Sequence, residues 1–128
     1  MSYSWGGRPC FCSPEAGRPT SEDRPPMKRM LRLTVRARSN DKHAGKALAD
    51  ALLDLYRSRG IGGATVLQGV KGYGVRGTAK LDVLGLSVNL PVVIETVGEY
   101  DKIEGVLATV KMMVGANGLV TLEEVNAF

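Results

Sequence analysis

Residues able to gather around an anion occur in three short stretches of this sequence. Gly72-Tyr73-Gly74-Val75-Arg76-Gly77 sets glycines beside an arginine, with Lys71 just before it and Lys80 just after. Closely spaced glycines permit the backbone conformations of an anion-binding nest. Arg76 and Lys80 could neutralise a phosphate through charge-assisted hydrogen bonds, and Tyr73 could stack on a base or insert into a partner protein. Arg36 and Arg38 close an alternating stretch, where they could meet an anion. Gly115, Asn117 and Gly118 could bring backbone donors towards a ligand. Each group also has a plainer reading: a tight loop, solvated charges, or a turn out of a helix.

Other chemistries find little to work with. The glycine-rich stretch lacks the Gly-Lys-Ser/Thr ending of an NTPase phosphate loop, and it lacks the following helix of a dinucleotide fingerprint. His43 is the one histidine, and no Ser, Cys or carboxylate is spaced to form a triad with it. Cys10 and Cys12 are the only cysteines, too few to fill a tetrahedral zinc site, and they read as free thiols. Asp50 and Asp54 are helical neighbours beside Lys46 and Arg57, which reads as a solvated face. Glu95 stands in an otherwise apolar strand, so a paired or subunit-boundary position is expected for it. The sequence is therefore expected not to be an enzyme.

The elements that would position these residues follow from periodicity. The chain has 128 residues and is 44% hydrophobic, enough for one domain with a real core. Residues 1–26 are rich in Gly, Pro, Ser and Arg without periodicity and are expected to be a disordered extension; residues 27–128 form the domain. Residues 1–38 carry eight Arg/Lys against three acids, so the basic excess is concentrated there rather than on the fold. No run approaches the roughly 20 apolar residues of a membrane span. The opening residues lack a signal peptide's apolar core. A cytoplasmic protein without direct membrane insertion is expected.

Met30 to Ala37 alternates as a strand should, with Leu31, Leu33, Val35 and Ala37 on one side and Arg32, Thr34, Arg36 and Arg38 on the other. Ser39, Asn40 and Asp41 can turn the chain and cap a helix over His43–Arg59, whose stripe is Leu48, Leu52 and Leu55 with Ala44 and Ala51. A second strand is expected from Gly63 to about Gly72, a third from Leu90 to Val97, a second helix from Tyr100 to Val114, and a fourth strand from Leu119. Residues 78–89 read as a loop with a short extension of the ladder. The order is that of a ferredoxin-like β-α-β-β-α-β sandwich in the α+β class: a four-stranded antiparallel sheet with both helices on one face. The third strand is apolar on both sides, so the second face calls for another subunit or a nucleic acid, and oligomerisation through the sheet is the preferred solution.

These residues resemble the DUF190 family of PII-like proteins, within the nitrogen-regulatory PII superfamily. The resemblance runs through Lys42, Gly45 and Leu48, then Gly60, residues 63–69, Gly72-Tyr73-Gly74, Leu90 to Glu95, Lys102-Ile103 and Gly118 to Val125. It covers nearly all of residues 28–126. It implies a trimer with the sheets turned inward, an effector such as an adenine nucleotide in clefts between subunits, and a loop at roughly 73–89 acting on a transporter or regulatory protein. The sequence departs from PII proteins themselves: the familiar modified-tyrosine context is absent around Tyr73, the Asp-Gly-Lys pattern is missing after the second helix, and no arginine pair follows the fourth strand.

The leading expectation is a trimeric signalling protein, with no required cofactor, that binds a small anionic effector at Arg36, Arg38, Gly72, Tyr73, Gly74, Arg76, Gly77, Lys80, Gly115, Asn117 and Gly118. The alternative is a ligand-free structural or adaptor trimer. RNA binding is disfavoured because the strands lack an aromatic stacking face.

Overall fold

The computed structural model describes residues 25–80 and 89–128. The expectations for Cys10, Cys12 and most of the N-terminal extension, and for the middle of the 73–89 loop, lie outside the described residues.

A four-stranded antiparallel sheet carries the fold. Its strands are β1 (Lys28–Arg38), β4 (Ala64–Gln68), β7 (Pro91–Gly98) and β8 (Leu119–Ala127), in the order β4-β7-β1-β8. Leu31, Leu33, Val35 and Ala37 of β1 are buried, as the alternation requires. Val92 and Ile94 of β7 lie on the same face and are also buried. Helices α1 (Leu48–Ser58) and α2 (Tyr100–Val114) cover that face. Leu33, Val35 and Ile94 are fully inaccessible, each contributing about 1.5–3 kcal/mol by burial. This is the expected ferredoxin-like α+β sandwich.

The first helix departs from expectation. It begins at Leu48, because Lys42–His43 (β2) and Lys46–Ala47 (β3) pair as a short hairpin around Ala44 and Gly45. Those two residues have φ of 51° and 79°, which a right-handed helix cannot accommodate. His43 is therefore a strand residue rather than a member of a first helical turn. No side chain caps α1, and Asp41 is used elsewhere. The buried stripe is Leu48, Leu52 and Tyr56, with Leu55 only partly covered. Burial pushes the Tyr56 phenol up to about 12. Helix α2 matches its expected span, burying Ile103, Val106, Val110 and Val114.

The second strand also divides. After Gln68 the chain leaves the sheet, and Lys71–Gly74 (β5) pairs with Gly77–Lys80 (β6) in a separate two-stranded arm. Its tip is Val75-Arg76. Gly72 and Gly74, two of the glycines that could contribute to an anion-binding nest, are ladder residues here, and of the three only Gly77 has positive φ.

The face of the sheet opposite the helices is mixed rather than apolar throughout. Leu67, Val93, Arg36 and Leu119 share one row across the strands; Thr65, Glu95, Thr34 and Thr121 share the next. Leu67 and Leu119 are exposed, while Glu95 is half-buried. The apolar residues on this side are interrupted by β1, whose outward positions are Arg32, Thr34 and Arg36.

Candidate functional site

Three elements and one turn converge at the end of the sheet where β1 stops and β7 starts. The last residues of β1, the β5–β6 arm, the first residues of β7 and the 3-10 turn Gly115–Asn117 with Gly118 enclose a cleft of about 600 Å³. That volume lies in the range of small-ligand sites. The cleft brings together Arg36, Arg38, Gly72, Tyr73, Gly74, Arg76, Asn117 and Gly118 of the expected set. Gly77 and Gly115 stand just outside its lining. Lys80 ends β6, and the expectation for its side chain lies outside the described residues.

Two close backbone approaches shape the cleft. Gly118 passes so near β1 that a methyl group there would stand 2.9 Å from the Arg36 carbonyl oxygen and would overlap Val114 Cγ1. This approach seats the turn Ala116–Gly118 against β1, where it forms one wall of the cleft. On the opposite side, Gly69 N–H donates to the Pro91 carbonyl at 2.7 Å. A methyl group on Gly69 would come within 2.9 Å of Pro91 Cγ, and one on Gly72 within 3.3 Å. The arm therefore leaves the sheet with its backbone laid on the Pro91 ring.

The cations of the cleft are not equally available. The Arg76 guanidinium donates from Nη1 to Asp41 Oδ1 at 2.6 Å and from Nη2 to Asp41 Oδ2 at 2.7 Å. Asp41 Oδ2 also accepts the Arg38 backbone N–H at 2.9 Å. The hydrogen bonds from Arg76 hold the Asp41 carboxyl below the usual carboxylate range, and the same bonds push the Arg76 guanidinium up. Arg38 Nη2 donates to the Gly77 carbonyl at 2.5 Å. Both ties connect the end of β1 and its turn to the arm. Arg36 and Lys71 are exposed, and neither forms an ion pair among the described residues. Among the described residues the site thus has two cations without an ion-pair partner and two that also position the arm.

Sequence reasoning placed Asp41 in a turn and capping role, and residue 91 simply inside the strand from Leu90 to Val97. Nothing local marks either contact: Asp41 and Arg76 are 35 residues apart. The far end of the arm is open. Tyr73 and Val75 are 92% and 94% exposed, and Val70 at its base is 71% exposed. Among the described residues no group of His, Cys, Asp and Glu is arranged to hold a metal ion. Nor, among the described residues, is any helix long and apolar enough to cross a membrane.

Comparison with known proteins agrees with this architecture. The family model DUF190, described as an uncharacterized ACR family, matches residues 30–127. A UPF0166 protein of Methanocaldococcus jannaschii is 38% identical over 96 residues, covering 75% of this chain and 89% of the relative. A UPF0166 protein of Aquifex aeolicus is 35% identical over 99 residues, covering 77% and 90%. Among solved structures, the chain is similar to CPII of Thiomonas intermedia K12, a nitrogen regulatory PII-like protein bound to ADP, AMP and bicarbonate. The TM-score is 0.63 at 14% identity, over 80% of this chain and 91% of that one. The apo form of CPII gives a TM-score of 0.55 at 14% identity, over 80% and 95%. At that identity the likeness is one of fold.

Proposed function

The chain belongs to the DUF190 family and has a PII-like fold, and from that premise we propose that it is a regulatory protein that binds a small anionic effector, such as an adenine nucleotide, in the cleft beside the arm. In this reading it is a sensor rather than an enzyme and acts in the cytoplasm. Its three copies assemble through the open sheet face, so that a neighbouring subunit completes each cleft. The effector state is passed to a transporter or regulatory protein through the segment that begins with the arm.

One observation carries the reading. Arg36, Arg38, Lys71 and Arg76, drawn from two strands and a hairpin tip, line a single cleft together with Ala116–Gly118. Converging cations with nearby backbone donors suit a phosphate chain. The ADP and AMP bound by the Thiomonas protein of the same fold support an adenine nucleotide over other anions. The exposed Tyr73 and Val75 support a protein partner at the arm, since aromatic and aliphatic side chains left in solvent are typical anchors of an interface.

The test is calorimetric titration of the full chain, at an established oligomeric state, with ATP, ADP, AMP and cyclic AMP, with and without Mg²⁺. Saturable binding that weakens in Arg36→Gln supports the reading. A folded, assembled protein that binds none of them overturns the nucleotide assignment and leaves the ligand-free adaptor.

A further inference from the structure

The hydrogen bonds of Arg76 raise a question that the cleft alone does not answer. A cation meant for a ligand's phosphate is already occupied by a carboxylate of the same chain, in two-point geometry. The partner is not a distant surface acid. Asp41 is fixed by its own turn, where Arg38 N–H donates to Oδ2 and Asp41 N–H donates to the Arg38 carbonyl at 3.0 Å. Its carbonyl also accepts the Leu48 N–H at 2.8 Å, anchoring it to the start of α1. The Asp41 and Arg76 side chains are only 16% and 27% exposed, so water screens the pair weakly. Asp41 is the one carboxylate paired with a cleft-lining cation among the described residues.

We propose that Asp41 is a built-in competitor of the effector: its carboxylate holds Arg76 whenever no anion is bound, and an incoming phosphate displaces it, releasing the tip of the arm. This rests on the anion-binding reading of the same cleft and adds to it the residue that sets affinity and couples binding to the arm. The coupling follows from where Arg76 sits. It lies at the β5–β6 tip, so the pair that neutralises Arg76 is also the tie that holds the tip to the turn after β1. Arg38 provides the second tie, through the Gly77 carbonyl, and lines the cleft as well. An anion that takes these guanidiniums removes the arm's anchors. By linkage, whatever loosens the arm frees the cations for the anion.

The test compares the full chain with Asp41→Asn, which keeps an oxygen to accept the Arg38 N–H but loses the charge. Binding of ADP and of inorganic pyrophosphate is measured by calorimetry, and exposure of the arm by the rate of trypsin cleavage after Arg76 without ligand. The expected result is that Asp41→Asn binds at least about threefold tighter, since one opposing charge has left the site. Its arm is cut faster without ligand, while saturating ADP speeds cleavage of the wild type. The double variant Asp41→Asn with Arg76→Ala loses the gain. Asp41→Ser, whose hydroxyl also accepts the Arg38 N–H, repeats the comparison if the asparagine variant is poorly folded. Wild-type binding with unchanged or weaker binding by the Asp41 variants overturns the competitor while leaving the effector reading intact. Binding by the variants alone supports it. Absence of binding in every form overturns the effector reading, and the competitor with it.

Discussion

Gly118 and Arg36 are packed backbone to backbone: a methyl group on Gly118 would stand 2.9 Å from the Arg36 carbonyl oxygen, with Val114 Cγ1 closing the other side. The turn that floors the cleft is thereby fixed to the strand that supplies its arginines. Gly118→Ala is expected to force the turn away from β1. Overpacking of this kind costs roughly 1–3 kcal/mol. In a domain this size, thermal unfolding should move down by about 4–8 °C for each kcal/mol lost. A melting temperature equal to the wild type would show that the turn can shift without cost.

The arm is attached by a different close approach. Gly69 donates to the Pro91 carbonyl while its α-carbon rests against the Pro91 ring. Gly69→Ala should lift the base of the arm and leave the sheet-and-helix core intact, because Pro91 lies outside the core cluster. Hydrogen exchange is the decisive measurement. Amides of Lys71–Gly74 should exchange faster in the variant, and those of Leu33, Val35 and Ile94 should not change.

These two contacts mark the limit of what the sequence disclosed. The sheet, its inward residues and α2 were legible because alternation at Leu31, Leu33 and Val35, and helical spacing at Ile103, Val106 and Val110, are local signals. Most cleft residues were legible as glycines and arginines grouped in short runs. The Asp41–Arg76 pair and the Gly69–Pro91 stack join segments far apart in sequence, and no periodicity encodes them. The start of α1 was misplaced because the apolar spacing continues back to Ala44. The positive φ values of Ala44 and Gly45 override it. The arm was read as a loop because its glycines suit a nest as well as a ladder, and cross-strand pairing decides between the two.

Acid should open the arm. The folded-state pKa of Asp41 is lowered by the Arg76 hydrogen bonds, with smaller help from Arg38. A depressed carboxyl stabilises the tied form fully above its ordinary value, near 3.8, and loses that contribution as pH falls through the lowered value. Protection of the arm amides should therefore be flat above about pH 5 and fall below about pH 4. Asp41→Asn should show weak protection across the whole range. Glu99 and Asp54 are also lowered, by Lys28 and Lys46, but neither pair includes a residue of the arm or of its ties, and neither should alter its profile.

The uncommitted cations should dominate affinity if the cleft takes a nucleotide. Arg36 is exposed, ends no tie to the arm, and lines the cleft beside Gly118. Arg36→Gln and Lys71→Gln are each expected to weaken ADP binding by about tenfold at low salt, the loss of a charge-assisted contact. The difference from wild type should shrink at high ionic strength. Trypsin cleavage after Arg76 should be unchanged in both, which separates these residues from Asp41.

Val93 offers the sharpest test of assembly, because its neighbour in sequence provides the control. Val92 is 6% exposed and belongs to the core beneath the helices, whereas Val93 faces the other way, in a row with Leu67, Arg36 and Leu119. Leu67 and Leu119 are more than half exposed in the single chain, an unfavourable position for leucines on an open sheet unless another copy covers them. Wild-type protein is expected to show the mass of a trimer by light scattering. Val93→Glu would bury a charge beside the half-buried Glu95 in any sheet-to-sheet interface, and should yield a folded monomer with native far-ultraviolet circular dichroism. Val92→Glu should instead unfold the chain. A Val93→Glu protein that keeps the trimer mass would place the subunit interface elsewhere, and the open face with its threonine and glutamate row would then be solvent-facing.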